Sequence, residues 1–163
     1  MNKNPGFVVG ALLAAISLQA CNHGSQVDPA KVQADVTKAQ ADGQKMIIDA
    51  QAKMDQVVAA NNKDIVSNEA DAQKDAARNP NAPPPEASDD VAKARAKAVT
   101  AVADAQQDVD KTKAQAAYNV AKAQCEAQVD DARKTCESQA KADYDAAVAA
   151  AKSKREATVA SKG

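Results

Sequence analysis

From Asp28 onward, apolar and small residues recur every three or four positions. Val32, Val36, Ala39, Gly43, Met46, Ala50, Met54, Val57, Asn61 and Ile65 make a first stripe. Spacing of this kind predicts a helix with a narrow, coiled-coil-like seam rather than a broad core-facing side. Gly43 and Asn61 are its weak points. Asp28-Pro29 supplies the start, with Asp as N-cap and Pro at the first helical position. Arg78-Asn79-Pro80 supplies the stop, because proline ends a helix at or before the residue that precedes it. The first helix is therefore expected over about 29–78. Asp49 and Lys53 stand four apart in the favourable order for an ion pair.

Residues 79–87 read Asn-Pro-Asn-Ala-Pro-Pro-Pro-Glu-Ala. Four prolines in so short a stretch exclude a helix and predict a stiff polyproline linker. Ser88-Asp89-Asp90 restarts the chain, with a capping hydroxyl and two carboxylates at the positive end of the helix dipole. A second stripe follows: Val91, Ala94, Ala98, Val102, Ala105, Val109, Thr112, Ala116, Val120, Ala123 and Ala127. Neither proline nor glycine interrupts the chain again before Gly163. Helices over about 88–129 and 131–160 are expected. The fold class is all-α, an elongated helical hairpin or coiled-coil-like rod.

Composition sharpens this. After residue 20 the chain has no Leu, Phe or Trp, and alanine supplies about a quarter of it. Such side chains cannot build a deep core, because each buries little area at about 25 cal/mol per Å². Lys+Arg total 21 against 22 for Asp+Glu, with a formal net charge of -1 and no long block of one sign. Those charges read as solvated helix faces. A nucleic-acid partner is not implied, since both the basic footprint and aromatic stacking platforms are missing.

The first twenty residues are of another kind. Lys3 and the terminal amine precede an apolar run, Phe7 to Ser17, and Leu18-Gln19-Ala20 ends in a small residue. That is the layout of a secretory signal, cleaved on export. The run is too short to span a bilayer, which takes about 20 residues. Residues 1–20 are read as the signal peptide and 21–28 as a tether.

Leu18-Gln19-Ala20-Cys21 resembles the lipobox of bacterial lipoproteins. The resemblance implies that the Cys21 thiol carries a diacylglycerol and that the new amine is acylated with a fatty acid such as palmitate. Several chains on one residue anchor stably where one chain is marginal. In that family an Asp after the cysteine tends to retain the product in the inner membrane. Asn22 stands there instead, which implies the outer membrane, with the protein facing the periplasm.

Cys125 and Cys136 remain. An even pair in an exported chain suggests a disulfide. In one straight helix the two thiols would lie about 16 Å apart, whereas a bridge needs Cα atoms within about 7 Å. Two readings stand. Either the chain reverses between them, with its midpoint at Asp130-Asp131 and Asp131 capping the last helix, or one unbroken helix carries reduced or interchain-bonded thiols. Tyr118-Asn-Val-Ala121-Lys122-Ala-Gln-Cys125, ten residues, then Cys136-Glu-Ser-Gln-Ala140-Lys141 resembles small Ala/Lys-rich exported proteins of Gram-negative bacteria that share Tyr-x₂-Ala-Lys-x₂-Cys-x₁₀-Cys-x₃-Ala-Lys. No assigned activity comes with that group. Its members often place a glycine between the cysteines, and this chain does not.

Catalytic chemistry is not implied. His23, the single histidine, lies in the tether. Cys-x₁₀-Cys without histidine is a poor zinc site, and no phosphate-binding glycine loop occurs. No enzyme, metal or cofactor is expected. The expectation is a structural or interaction rod of the cell envelope, with peptidoglycan, an envelope protein or a second copy as partner. In plan it is similar to the murein lipoprotein, though here Lys162 is followed by Gly163, so the lysine that family joins to the wall is not terminal. A second expectation is a stress protectant, since leucine-free Ala/Lys/Asp/Gln helices look similar to late-embryogenesis-abundant proteins.

Overall fold

A computed structural model describes residues 27–79, 81 and 83–162. The signal peptide, Cys21, Asn22, His23 and most of the tether lie outside the described residues. Those described are all-α: α1 spans Pro29–Arg78, a 3₁₀ turn spans Pro85–Ala87, α2 spans Asp89–Cys125 and α3 spans Asp130–Lys162.

Local chemistry sets the ends of α1. The Asp28 carboxylate accepts hydrogen bonds from the backbone N–H groups of Ala30, at 2.9 Å, and Lys31, at 3.4 Å. Those are donors the first turn otherwise leaves unpaired. At the far end the Asn79 N–H donates to the Asp75 carbonyl, and Asn79 turns extended ahead of Pro80. The linker differs from the expected continuous polyproline segment. Pro84 holds that conformation (φ -53, ψ 146), but Pro85–Ala87 then close a 3₁₀ turn. Ser88 occupies the cap position of α2, yet its side chain makes no capping bond. Asp89 and Asp90 are left to complement the dipole alone.

The three helices run up, down and up. Asp64 of α1 pairs with Lys97 of α2, and Gly43 lies against Ala116, so α1 and α2 are antiparallel. Asp104 of α2 pairs with Arg155 of α3, and Tyr118 lies against Tyr144, so α3 is antiparallel to α2. No Cα atom of α1 lies within 8 Å of one in α3. α2 is therefore the shared middle helix. At 50 residues, α1 is about 75 Å long.

Most of the expected seam is present. Val91, Ala98, Val109, Ala116 and Ala123 are buried on α2, and Val36, Gly43 and Asn61 on α1. Val91 and Val109, almost without exposure, each contribute about 1.5–3 kcal/mol through burial. Met46 is 39% exposed; the seam passes through half-buried Ile47 instead. Gly43 is no weak point. A Cβ added there would sit 2.8 Å from the Ala116 Cβ, so the glycine is what lets the two backbones approach. Asn61 is buried but satisfied, its amide donating to the Val57 carbonyl at 2.7 Å. Asp49 and Lys53 form no ion pair; among the described residues, four-apart pairs occur instead at Lys31–Asp35, Arg133–Glu137, Lys141–Asp145 and Lys152–Glu156.

α2 also carries a second buried stripe, Ala103, Ala114 and Cys125, on the helix that α3 packs against with its own buried Ala140 and Ala151. The apolar pattern of the sequence does not separate this second stripe from the first.

Candidate functional site

Two places on the molecule gather chemistry. The first is the α2–α3 turn. Cys125 is fully buried, and the structure brings it and Cys136 to disulfide distance, with Cα atoms 5.6 Å apart. The chain reverses here, as one of the two sequence readings required, but earlier than its midpoint. α2 ends at Cys125 rather than near 129. The N–H groups of Ala127 and Gln128 donate to the Gln124 and Cys125 carbonyls, winding the helix end into tight turns. Asp130 then takes φ 50, a left-handed conformation that Asp tolerates better than most residues. Asp131 is not the cap. It lies within the first turn of α3, its carboxylate paired with Lys134 at 3.0 Å.

Next to the cysteines, the Tyr118 and Tyr144 rings meet at 5.4 Å between centroids, and the Lys122 ammonium lies 5.7 Å from the Tyr118 ring. Two of the residues of the Tyr-x₂-Ala-Lys-x₂-Cys pattern thus touch one another across a single helical turn. Lys141, also in the pattern, is hydrogen-bonded to Asp145, which with the charge of that carboxylate raises the pKa of its ammonium.

The second place is a groove toward the other end. α1 and α3 flank α2, and between them lies a slot of about 410 Å³. Ile65 of α1, Val99 and Val102 of α2 and Ala151 of α3 line it. Its rim is cationic, but each cation is held: Arg95 by Glu69 at 2.9 Å, Lys154 by Asp110 at 2.9 Å, Arg155 by Asp104 at 2.7 Å. The slot can accept apolar side chains. It contains no histidine or cysteine to serve as nucleophile or base. Among the described residues no group of three or more His, Cys, Asp or Glu is placed to hold a metal ion, and no helix is long and apolar enough to cross a membrane.

The chain matches no family profile, no curated protein and no solved structure at a significant level. Function must therefore be read from its own residues. The sequence marked Cys125 and Cys136, which the fold brings together, and Cys21, which lies outside the described residues. It did not mark the groove. The groove exists because α1 and α3 use neighbouring faces of α2, and no local pattern encodes that choice.

Proposed function

We propose that the chain is a lipid-anchored helical rod of the bacterial cell envelope, held in the outer membrane through Cys21 and reaching into the periplasm. The carrying observation is Leu18-Gln19-Ala20-Cys21 behind a positively charged apolar leader, with α1 beginning at Pro29, a few residues beyond the cysteine. The rod's role is structural or recognitive, a reading supported by its polar outer faces and an apolar slot far from the anchored end. Cell wall or an envelope protein are the partners this shape suits. A Cys125–Cys136 bridge accords with an oxidising compartment.

Replacement Cys21→Ala tests the anchor. The variant should accumulate as unprocessed precursor and take up no labelled fatty acid. Normal labelling would refute the lipoprotein reading. One observation favours a second reading, the conditionally helical protectant: among the described residues the only large side chains wholly buried are Val91, Val109 and Cys125. Circular dichroism separates the two. Cooperative melting of a helix in dilute buffer supports the rod; coil that orders only on drying supports the protectant.

A further inference from the structure

The Cys125–Cys136 bridge has two unlike ends. Cys125 is 0% exposed. Cys136, in the second turn of α3, is half-buried and presents surface to solvent. Exchange with an external thiol is an in-line displacement at one sulfur of the pair, so access to each sulfur decides which bond forms.

A second effect opposes access. Attack on Cys136 expels Cys125, whose thiolate forms at the last residue of α2, against the negative end of the helix dipole. An end effect of that kind changes a rate by roughly two- to fivefold. A sulfur without surface is reached only when the structure opens locally, and opening in a packed region is rarer than that by a wide margin. Access therefore wins.

We propose that the bridge is a one-sided redox latch: an external thiolate opens it at Cys136, and the closed bridge holds α3 in place. The incoming sulfur bonds to the Cys136 Sγ as the S–S bond breaks. The Cys125 Sγ leaves with the electron pair and takes a proton from water. A second external thiolate then attacks the sulfur bound to Cys136 and expels Cys136 as a thiolate. Two external thiols become one disulfide, and their two electrons reduce the bridge. Once it is open, α3 keeps only its buried Ala140 and Ala151, the tyrosine contact and the pairs Lys154–Asp110 and Arg155–Asp104. Pairs so near solvent hold little. α3 also supplies Ala151, Lys154, Arg155 and Thr158 to the wall of the apolar slot. Reduction at one end of α3 thus loosens the slot at the other, and the slot is complete only in the oxidised chain.

The inference rests on a closed bridge, which a count of thiols before any reductant checks separately; free Cys125 and Cys136 at that stage would overturn both. Full-length chain is then treated briefly with 2-mercaptoethanol, quenched in acid and cut with trypsin. Cys125 falls on the peptide Ala123–Arg133 and Cys136 on Thr135–Lys141. The mercaptoethanol adduct should be at least about tenfold more abundant on Cys136, and nearly even between the two in concentrated urea, where both sulfurs are open. An even split in the native chain would overturn the one-sided opening, and so would a preference that survives urea. No adduct on a native bridge that reacts when unfolded would overturn it too. Hydrogen exchange reads the latch itself. After reduction, amides over 140–160 should exchange at least about tenfold faster while those of α1 hold, and reoxidation should restore them. Protection of α3 unchanged by reduction would overturn the latch.

Discussion

On one side of α2 the neighbouring helix is held by packing along its length without a covalent link; on the other it also carries a staple near one end. The α1–α2 seam runs almost the whole of α2, with Val91 and Val109 buried in it and Gly43 drawing the backbones close. It has no covalent link. The α2–α3 seam is made mainly of alanine: Ala103 and Ala114 are buried on α2, Ala140 and Ala151 on α3. It adds Cys125 and Cys136, a tyrosine pair and two cross-helix ion pairs. Alanine removes too little apolar area to hold a helix unaided, so the weaker seam is where the staple is placed.

The largest test of this contrast removes the staple. Cys136→Ser should destabilise α3 docking by about 3 kcal/mol on the loop-entropy account. Amide exchange should rise along α3 while α1 keeps its protection. Equal acceleration in all three helices would show that the seams are not independent. Gly43→Ala probes the other seam with a smaller effect of uncommon sign. Alanine is the better helix former by about 0.8–1.0 kcal/mol, but its methyl would collide with Ala116, and overpacking costs about 1–3 kcal/mol. The melting temperature should fall despite the gain in propensity; a rise would mean that α1 and α2 are not in close contact there. Least of all, Arg155→Ala removes an exposed ion pair with Asp104. Its effect should stay below about 1 kcal/mol and vanish in high salt, and a salt-independent loss would point to packing by the arginine stem.

Much of the fold was legible in advance, for local reasons. Asp28-Pro29 and Asn79-Pro80 bound α1 because capping and proline sterics act within a few residues. The prolines at 80 and 83–85 separate α1 from α2 for the same reason. Cys125 and Cys136 pointed to a reversal as one of two readings, since an unbroken helix could carry them only reduced or bonded to another chain. The reversal came early because i→i+3 bonds tighten the end of α2 and Asp130 accepts a left-handed φ, neither of which leaves a mark in composition. The second stripe on α2 was hidden by monotony. Where alanine occupies every face, hydrophobic contrast cannot say which alanines are buried, and Ala103 reads like Ala101. Gly43 misled for a related reason: helix propensity describes an isolated helix, whereas here the missing side chain is what brings a neighbour in.

Three helices, being an odd number, leave the Pro29 end of α1 and the Lys162 end of α3 at opposite ends of the rod. A pull along the axis, from the Pro29 end against the α3 terminus, therefore acts lengthwise on both seams. Asp64–Lys97, Glu69–Arg95, Asp104–Arg155 and Asp110–Lys154 share such a load in parallel, rather than opening one after another as in a zipper. The Cys125–Cys136 link spans the one turn where α2 hands that load to α3. Mechanically the molecule is a lap joint, and a resistance to stretching greater than its modest core would suggest is the property that construction confers.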